Sequence, residues 1–266
     1  MPQTFAQYSH VFSLGKKIRE LSSTIYNSLQ MLGLMAGMGA GAALVWGGYH
    51  SMAPASQVYG KTFVGDPSRT RELALTFDDG PNDPHTFHLL EILHRHNVKA
   101  TFFMVGKYVD QRPDIARAVA REGHAIANHT YFHPNLIFRS EWQLRDEIAR
   151  CERALQDAVG ETRTNLFRPP FGGRRPKTLQ LVRNLGMVPV MWNVAGVDWS
   201  AASADAISRK VAAGIRGGDV ILLHDGGHRR FGTDRSLTVR AVKDIVERHK
   251  NEGYRFCTVP EMMARN

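Results

Sequence analysis

The sequence predicts an α/β fold built on a parallel sheet, and three observations carry that prediction. Beyond residue 70, short apolar runs alternate with amphipathic stretches of helical period. The connections between them are short. Polar side chains recur at the far end of one apolar run after another. Parallel strands need a crossover, usually helical, so steady alternation implies a parallel sheet, open or closed into a barrel.

The elements follow in order. "LALTF" (73–77) reads as a buried strand ending on Asp78 and Asp79 before the Gly80-Pro81 turn. "HTFHLLEILHRHN" comes next, with Phe87, Leu90, Ile92 and Leu93 as its apolar stripe. "ATFFMVG" precedes "RPDIARAVAREG", where Pro113 suits a helix start and Gly123 a stop. "HAIANH" runs into His129, and a loop leads to the helical "EWQLRDEIARCERALQDAVG". "NLFR" ends at Arg168 and precedes "PKTLQLVRNLG". "MVPVMW" runs on toward Asp198 and precedes "SADAISRKVAAGIRGG". "DVILLHD" ends at His224 and Asp225, ahead of "DRSLTVRAVKDIVERHKNEG", and "YRFCTV" closes a set of seven strand candidates.

A different signal occupies the front. No Lys, Arg, Asp or Glu occurs from Leu21 to Gly60, and residues 29–49, "LQMLGLMAGMGAGAALVWGGY", are mostly apolar and small. As a helix they would span about 31 Å, the thickness of a hydrocarbon layer. Lys16, Lys17 and Arg19 before them orient the N-terminus inside. The expected division is a cytoplasmic segment (1–28), a transmembrane anchor or signal h-region (29–49), a linker (50–70) and a catalytic domain (71–266). "APA" at 53–55 fits a cleavage site, and a glycine-rich leader without a stable span is a third possibility. The long n-region favours a retained anchor. Anchored or cleaved, the rest of the chain is expected on the periplasmic or extracellular side, membrane-tethered or secreted.

The net charge is +9, and residues 1–60 hold only +2 of it, leaving +7 for the remainder. That excess favours anionic surroundings. No run of Lys and Arg with interleaved aromatics appears, so no nucleic-acid partner is expected. Cys151 and Cys257 have neither zinc nor disulfide spacing and read as buried thiols.

Asp78-Asp79, His129, Arg168, Asp198 and His224-Asp225 all fall at or just past strand ends. In a parallel βα barrel those positions emerge together at the carboxyl face. "HTYFHP" places His129 and His133 four residues apart, on one face if the segment is a helical turn. Two histidines and one carboxylate make a three-ligand zinc site with a position left for water, and by ligand type cobalt or nickel also fits. One aspartate of the 78–79 pair would bind the cation, which offsets the cost of burying it. The other would accept a proton from water. Arg168 can keep that base ionised, and His224 can protonate a leaving nitrogen or oxygen. The parts add up to metal-assisted hydrolysis of an acyl group.

Taken together, "TFDDGP", "HTYFHP", "RPPFG", "VDWS" and "ILLHD" resemble, in order, the five motifs of the polysaccharide deacetylases, the family-four carbohydrate esterases. The resemblance runs from about residue 70 to 262. It implies a distorted (β/α) barrel with about seven parallel strands, here preceded by the N-terminal hydrophobic helix. It implies a substrate that is an N-acetylated polysaccharide or oligosaccharide, peptidoglycan or chitin in type, with O-acetyl xylan used by some members. Position by position, Asp78 resembles the catalytic base, and Asp79, His129 and His133 the metal ligands. Arg168 resembles the arginine that positions the base, and His224 the general acid. Phe171 stands where a backbone N–H helps to hold the oxyanion; Trp199 and Leu222 resemble groove residues that contact acetyl and sugar. Two departures stand out: Phe171 replaces the usual Tyr, and Ala195 replaces the first acid of D-x-x-D-W, leaving Asp198 alone to support His224.

Other residues are assigned bland roles. His85, His88, His94 and His96 read as exposed or helix-packing, His124 as structural, and His228 as part of a solvated basic loop. Asp225 reads as a turn-orienting residue, Trp142 and Trp192 as packing. Competing functions are an O-acetyl esterase, an inactive glycan-binding homologue and a metal-dependent nuclease; the last lacks any second metal cluster or phosphate clamp.

Overall fold

The computed structural model of the chain describes residue 37 and residues 41–264, in two compact units that divide between Tyr49 and His50. Residues 41–52 are helical (α1). Most of the expected apolar helix at 29–49 falls outside the described residues. Among those described, no helix is long and apolar enough to cross a membrane.

The second unit alternates as the sequence predicts. In chain order it runs β1 (Glu72–Gly80), α2 (His85–Arg95), β2 (Thr101–Met104), α3 (Gly106–Gln111), α4 (Pro113–Arg121), β3 (Ala125–Asn128), α5 (Glu141–Val159), β4 (Arg163–Phe167) and α6 (Pro176–Asn184). It continues with β5 (Val188–Pro189), β6 (Val194–Ala195), α7 (Ala204–Gly214), β7 (Asp219–His224), α8 (Ser236–Asn251), β8 (Arg255–Cys257) and α9 (Val259–Met263). Every strand pairing is parallel, in the order β5-β4-β3-β2-β1-β7-β6, with β8 pairing the start of β1.

The expected fifth strand, "MVPVMW", is not one strand. Its first half pairs with β4 as β5, while the chain beyond it pairs with β7 as β6. Only four residues separate the two pieces, too few for a parallel crossover, so they cannot pair with each other. Instead this stretch leaves one edge of the sheet and joins the other: Val190 N–H donates to the Phe167 carbonyl, and Asn193 N–H to the Val220 carbonyl. The curled sheet is a distorted (β/α) barrel of seven strands in sequence around the wall, with β8 added at the base of β1.

Strand β1 shows how the layers are assigned. Leu73, Leu75 and Phe77 face the helical layer with Leu89, Leu93, Val242 and Ile245, whereas Ala74 faces an interior shared with Phe103, Ala127, Leu166, Val190 and Val220. Each such leucine or phenylalanine contributes about 1.5–3 kcal/mol by leaving water. Period-two alternation therefore places Thr76 and Asp78 in the inward phase, toward the carboxyl mouth.

Residues 50–70, expected as a linker, pack on the domain. Ser51 and Arg174 are buried, and the Arg174 guanidinium donates to the carbonyls of Ala53 at 2.6 Å, Ser56 at 2.9 Å and Gly172 at 2.9 Å. Phe63 forms a parallel bridge with Val190. With no acid within 4.0 Å among the described residues, the terminal nitrogens of this buried guanidinium donate to carbonyls of the strap and of Gly172, while Nε has no partner. Cys151 and Cys257 are buried free thiols, as expected.

Candidate active site

A regular strand would send Asp78 and Asp79 to opposite faces. They share one cleft because β1 breaks its register against β2 between Asp78 and Gly80, and Asp79 adopts a left-handed φ of 73°. Such an irregularity re-aims a side chain. Close packing holds it: a Cβ on Gly226 would stand 2.0 Å from the Asp79 carbonyl oxygen. Both aspartates are 3% exposed.

Asp79 Oδ1 lies 3.0 Å from His133 Nε2 and 3.5 Å from His129 Nε2, and one donor atom from each of the three residues lies within 4.8 Å of the others. The histidines do not sit on a helical turn. Thr130 and His133 have positive φ, and the loop is pinned by Asn128 Oδ1 accepting from Thr130 N–H and Glu147 Oε2 accepting from Tyr131 and Phe132 N–H. His129 Nδ1 stands 2.8 Å from the Arg168 carbonyl, which accepts a hydrogen only, so the lone pair is left on Nε2, facing Asp79. Burial pushes the His133 imidazole below its ordinary pKa, against the pull of the Asp79 carboxylate beside it. Burial alone would raise Asp79, but the imidazoles of His133 and His129 more than offset it and hold the carboxyl well below its usual range. Asp79 Oδ1 is buried and engages in no aligned hydrogen bond. Three donor atoms, a buried carboxylate oxygen and two imidazole nitrogens, converge in a way that fits a divalent cation.

Asp78 is held differently. Arg168, 0% exposed, donates through Nη1 to Asp78 Oδ1 at 2.7 Å and to Thr76 Oγ1 at 2.8 Å, while Nη2 donates to the Met191 carbonyl. The guanidinium also lies over the Phe103 ring at 4.0 Å. With Oδ1 committed, the second oxygen of Asp78 remains, 3.7 Å from His129 Nε2.

Across the cleft, His224 Nδ1 donates to Asp198 Oδ1, and Asp198 Oδ2 accepts from His224 N–H and the Thr238 hydroxyl. Burial lowers the imidazole's pKa, but the Asp198 carboxylate, with Asp79 and Asp78 beyond it, raises it to about 9. Ala195 lies in β6 beside Leu222 and takes no part in this network. Asp198 alone supports His224.

The cleft has a volume of about 580 Å³. Phe171, with φ 57°, sets its ring 4.6 Å from that of His133; Trp199 packs edge-on against His224 at 5.4 Å; Leu222 lies on the wall. All ten residues proposed from the sequence are brought to this one region. Trp192, read as packing, lines the cleft, and Trp142 is 74% exposed. His228 is the residue that sequence reasoning missed: it stacks on His133 at 4.9 Å, with Nδ1 3.8 Å from Asp79 Oδ2. No periodicity marks it; only the preceding Gly226-Gly227 hints that its loop turns back onto the site. Asp225 is fully buried and accepts from the Thr86 hydroxyl, and burial raises its pKa to about 7.

A family model described as polysaccharide deacetylase matches residues 65–190. A peptidoglycan-N-acetylglucosamine deacetylase of Bacillus cereus is 39% identical over 77% of this chain and 72% of its own length. The chain belongs to the polysaccharide deacetylase family. A chitooligosaccharide deacetylase of Bradyrhizobium is 37% identical, over 74% of this chain and 93% of that protein. Among solved structures, a peptidoglycan N-acetylglucosamine deacetylase superposes with a TM-score of 0.69 at 37% identity, over 76% of this chain and 91% of that one. The segment that matches the polysaccharide deacetylase model contains Asp78, Asp79, His129, His133, Arg168 and Phe171; Asp198, His224 and the loop of His228 lie beyond it.

Proposed function

We propose that this chain is a metal-dependent N-deacetylase acting on a glucosamine-containing polysaccharide or oligosaccharide of peptidoglycan or chitin type. One observation carries the reading: the Asp79, His129 and His133 donors, the Arg168-bound Asp78 and the Asp198-bound His224 open into one cleft. Asp79, His129 and His133 would hold the cation, zinc by this donor set, with cobalt or nickel compatible by ligand type. When bound there, a divalent cation acidifies water and polarises the acetyl carbonyl.

Asp78 takes the proton of the attacking water on its free oxygen, because Arg168 occupies the other. As the carbon–oxygen bond forms, the Phe171 backbone N–H supports the developing oxyanion, the role the family pattern gives this position. Protonated His224 has Nδ1 committed to Asp198, so Nε2 gives its proton to the sugar nitrogen as the carbon–nitrogen bond breaks. Acetate and a free amine leave. Trp199 and Leu222 shape the space for the sugar and its acetyl group.

The departures at Phe171 and Ala195 leave base, donor trio and acid intact, which favours an active enzyme over a glycan-binding homologue. Acetate release by the purified chain from N-acetylglucosamine oligomers, peptidoglycan and acetylated xylan, with zinc content measured alongside, tests the reading. Release from xylan alone would replace it with an O-acetyl esterase, and stoichiometric zinc with no release from any substrate would make the chain a binding protein. We also propose that the catalytic unit works outside the cytoplasm, on the strength of the apolar run at 29–49 behind Lys16, Lys17 and Arg19. Protease added to cells with a permeabilised outer envelope and an intact cytoplasmic membrane should reach it.

A further inference from the structure

The connection from β7 to α8, residues 225–235, gathers cations at the mouth of the cleft. Arg229 and Arg235 line it, Arg230 follows Arg229 in the same loop and is exposed, and the Lys107 ammonium, from α3, donates to the His228 carbonyl at 3.1 Å. Arg235 is oriented by its own Nε–H, which donates to the Gly226 carbonyl at 2.6 Å.

The acids nearby are already engaged. Asp78 bonds Arg168, Asp79 faces three imidazoles, and Asp198 serves His224 and Thr238. Asp234, in the same loop, accepts from Ser236 N–H and lies 3.4 Å from His85. Among the described residues, Arg168 at the floor of the cleft has a carboxylate within 4.0 Å. Arg229, Arg230 and Arg235 have none. The acetamido group that the site would process is neutral, so neither a carboxylate among the described residues nor the reacting group pairs with these three guanidiniums. A planar guanidinium is suited to a carboxylate, which it can grip with two parallel hydrogen bonds.

We propose that Arg229, Arg230 and Arg235 form a carboxylate-binding subsite, recognising an acid carried by the sugar next to the one being deacetylated. This rests on the deacetylase reading above and narrows its substrate to an anionic glycan, such as a strand bearing lactyl ethers, in preference to a neutral chitin oligomer. Charge at the rim of a cleft acts through encounter and orientation and weakens with salt.

The test uses two oligosaccharides of equal length, one of N-acetylglucosamine throughout, the other alternating it with its 3-O-lactyl derivative. At low salt kcat/KM for the lactyl oligomer should exceed the neutral one by about tenfold. That ratio should fall toward one in the Arg229→Gln/Arg230→Gln double variant, and in about 0.5 M salt. Equilibrium binding of both oligomers to the full chain, stripped of metal by a chelator so that no turnover intervenes, should show the same preference. A ratio near one in both measurements, or a preference that survives in the double variant, overturns the subsite. Preferential binding without acetate release from either oligomer upholds the subsite and removes the deacetylase reading instead.

Discussion

His224 Nδ1 lies 2.8 Å from Asp198 Oδ1, and the second oxygen of Asp198 is saturated by the His224 amide and the Thr238 hydroxyl, also at 2.8 Å each. The carboxylate therefore cannot turn away from the imidazole. It holds a proton on His224 up to a pKa of about 9, against burial, which works in the opposite direction. Replacing Asp198 with Asn leaves burial unopposed by that charge, so the alkaline limb of kcat/KM should move down from near pH 9 by more than a unit. Stability follows the same sign. The folded pKa is raised, so the pair's contribution is full below the unfolded histidine value of 6.5 and disappears as pH climbs through about 9. An alkaline limb that stays in place in Asp198→Asn would show that another group donates the proton.

Asp78 and Asp79 are adjacent in sequence and opposite in duty. Asp79→Asn should lower metal content at least tenfold, because one anionic donor of three is lost. Asp78→Asn should keep its metal and lose about 10²–10⁴-fold in kcat. Metal analysis after dialysis, paired with steady-state rates, separates the two; equal metal loss in both variants contradicts the division.

Arg168 is buried without access to water, and its partner Asp78 is 3% exposed. Arg168→Ala leaves a buried carboxylate uncompensated, at a cost of about 3–5 kcal/mol. Arg168→Lys keeps the charge but not the fork that reaches Asp78, Thr76 and the Met191 carbonyl together, and it should also fail to restore activity. Urea unfolding and kcat measured on the same preparations check both statements.

Arg174 joins the strap at 51–56 to the loop that carries Phe171. Arg174→Ala should release Ser51–Ser56 to rapid amide exchange and destabilise the domain by about 3 kcal/mol, from several charged hydrogen bonds lost together. Exchange rates in this strap unchanged from the parent would mean that Phe63 and its bridge to Val190 hold it unaided.

The alternation of strands and helices was legible because each element repeats its own period, so even residues far from the site announced the sheet. The fifth strand was misread because periodicity reports exposure along a segment and says nothing about which neighbour it pairs with; "MVPVMW" divides between β4 and the route to β7. Trp142 and His228 failed for a related reason. An aromatic on a helix end and an imidazole in a glycine-bearing loop carry no periodic mark, and only the path of the chain makes one exposed and sets the other against His133.

From residues alone came the parallel α/β plan, the arrival of acids, imidazoles and one guanidinium at strand ends, and a set of two histidines and a carboxylate suited to a divalent cation. These are local matters of period and donor chemistry. Folding in three dimensions decided the rest: that an irregularity at Asp79 turns both aspartates into one cleft, that Asp198 without help from position 195 holds His224, that Arg174 ties the strap to the loop carrying Phe171, and that the 225–235 loop lines the cleft. Each of those depends on contacts between segments distant in sequence, where distance and direction are set by packing of the whole barrel and no local pattern records them.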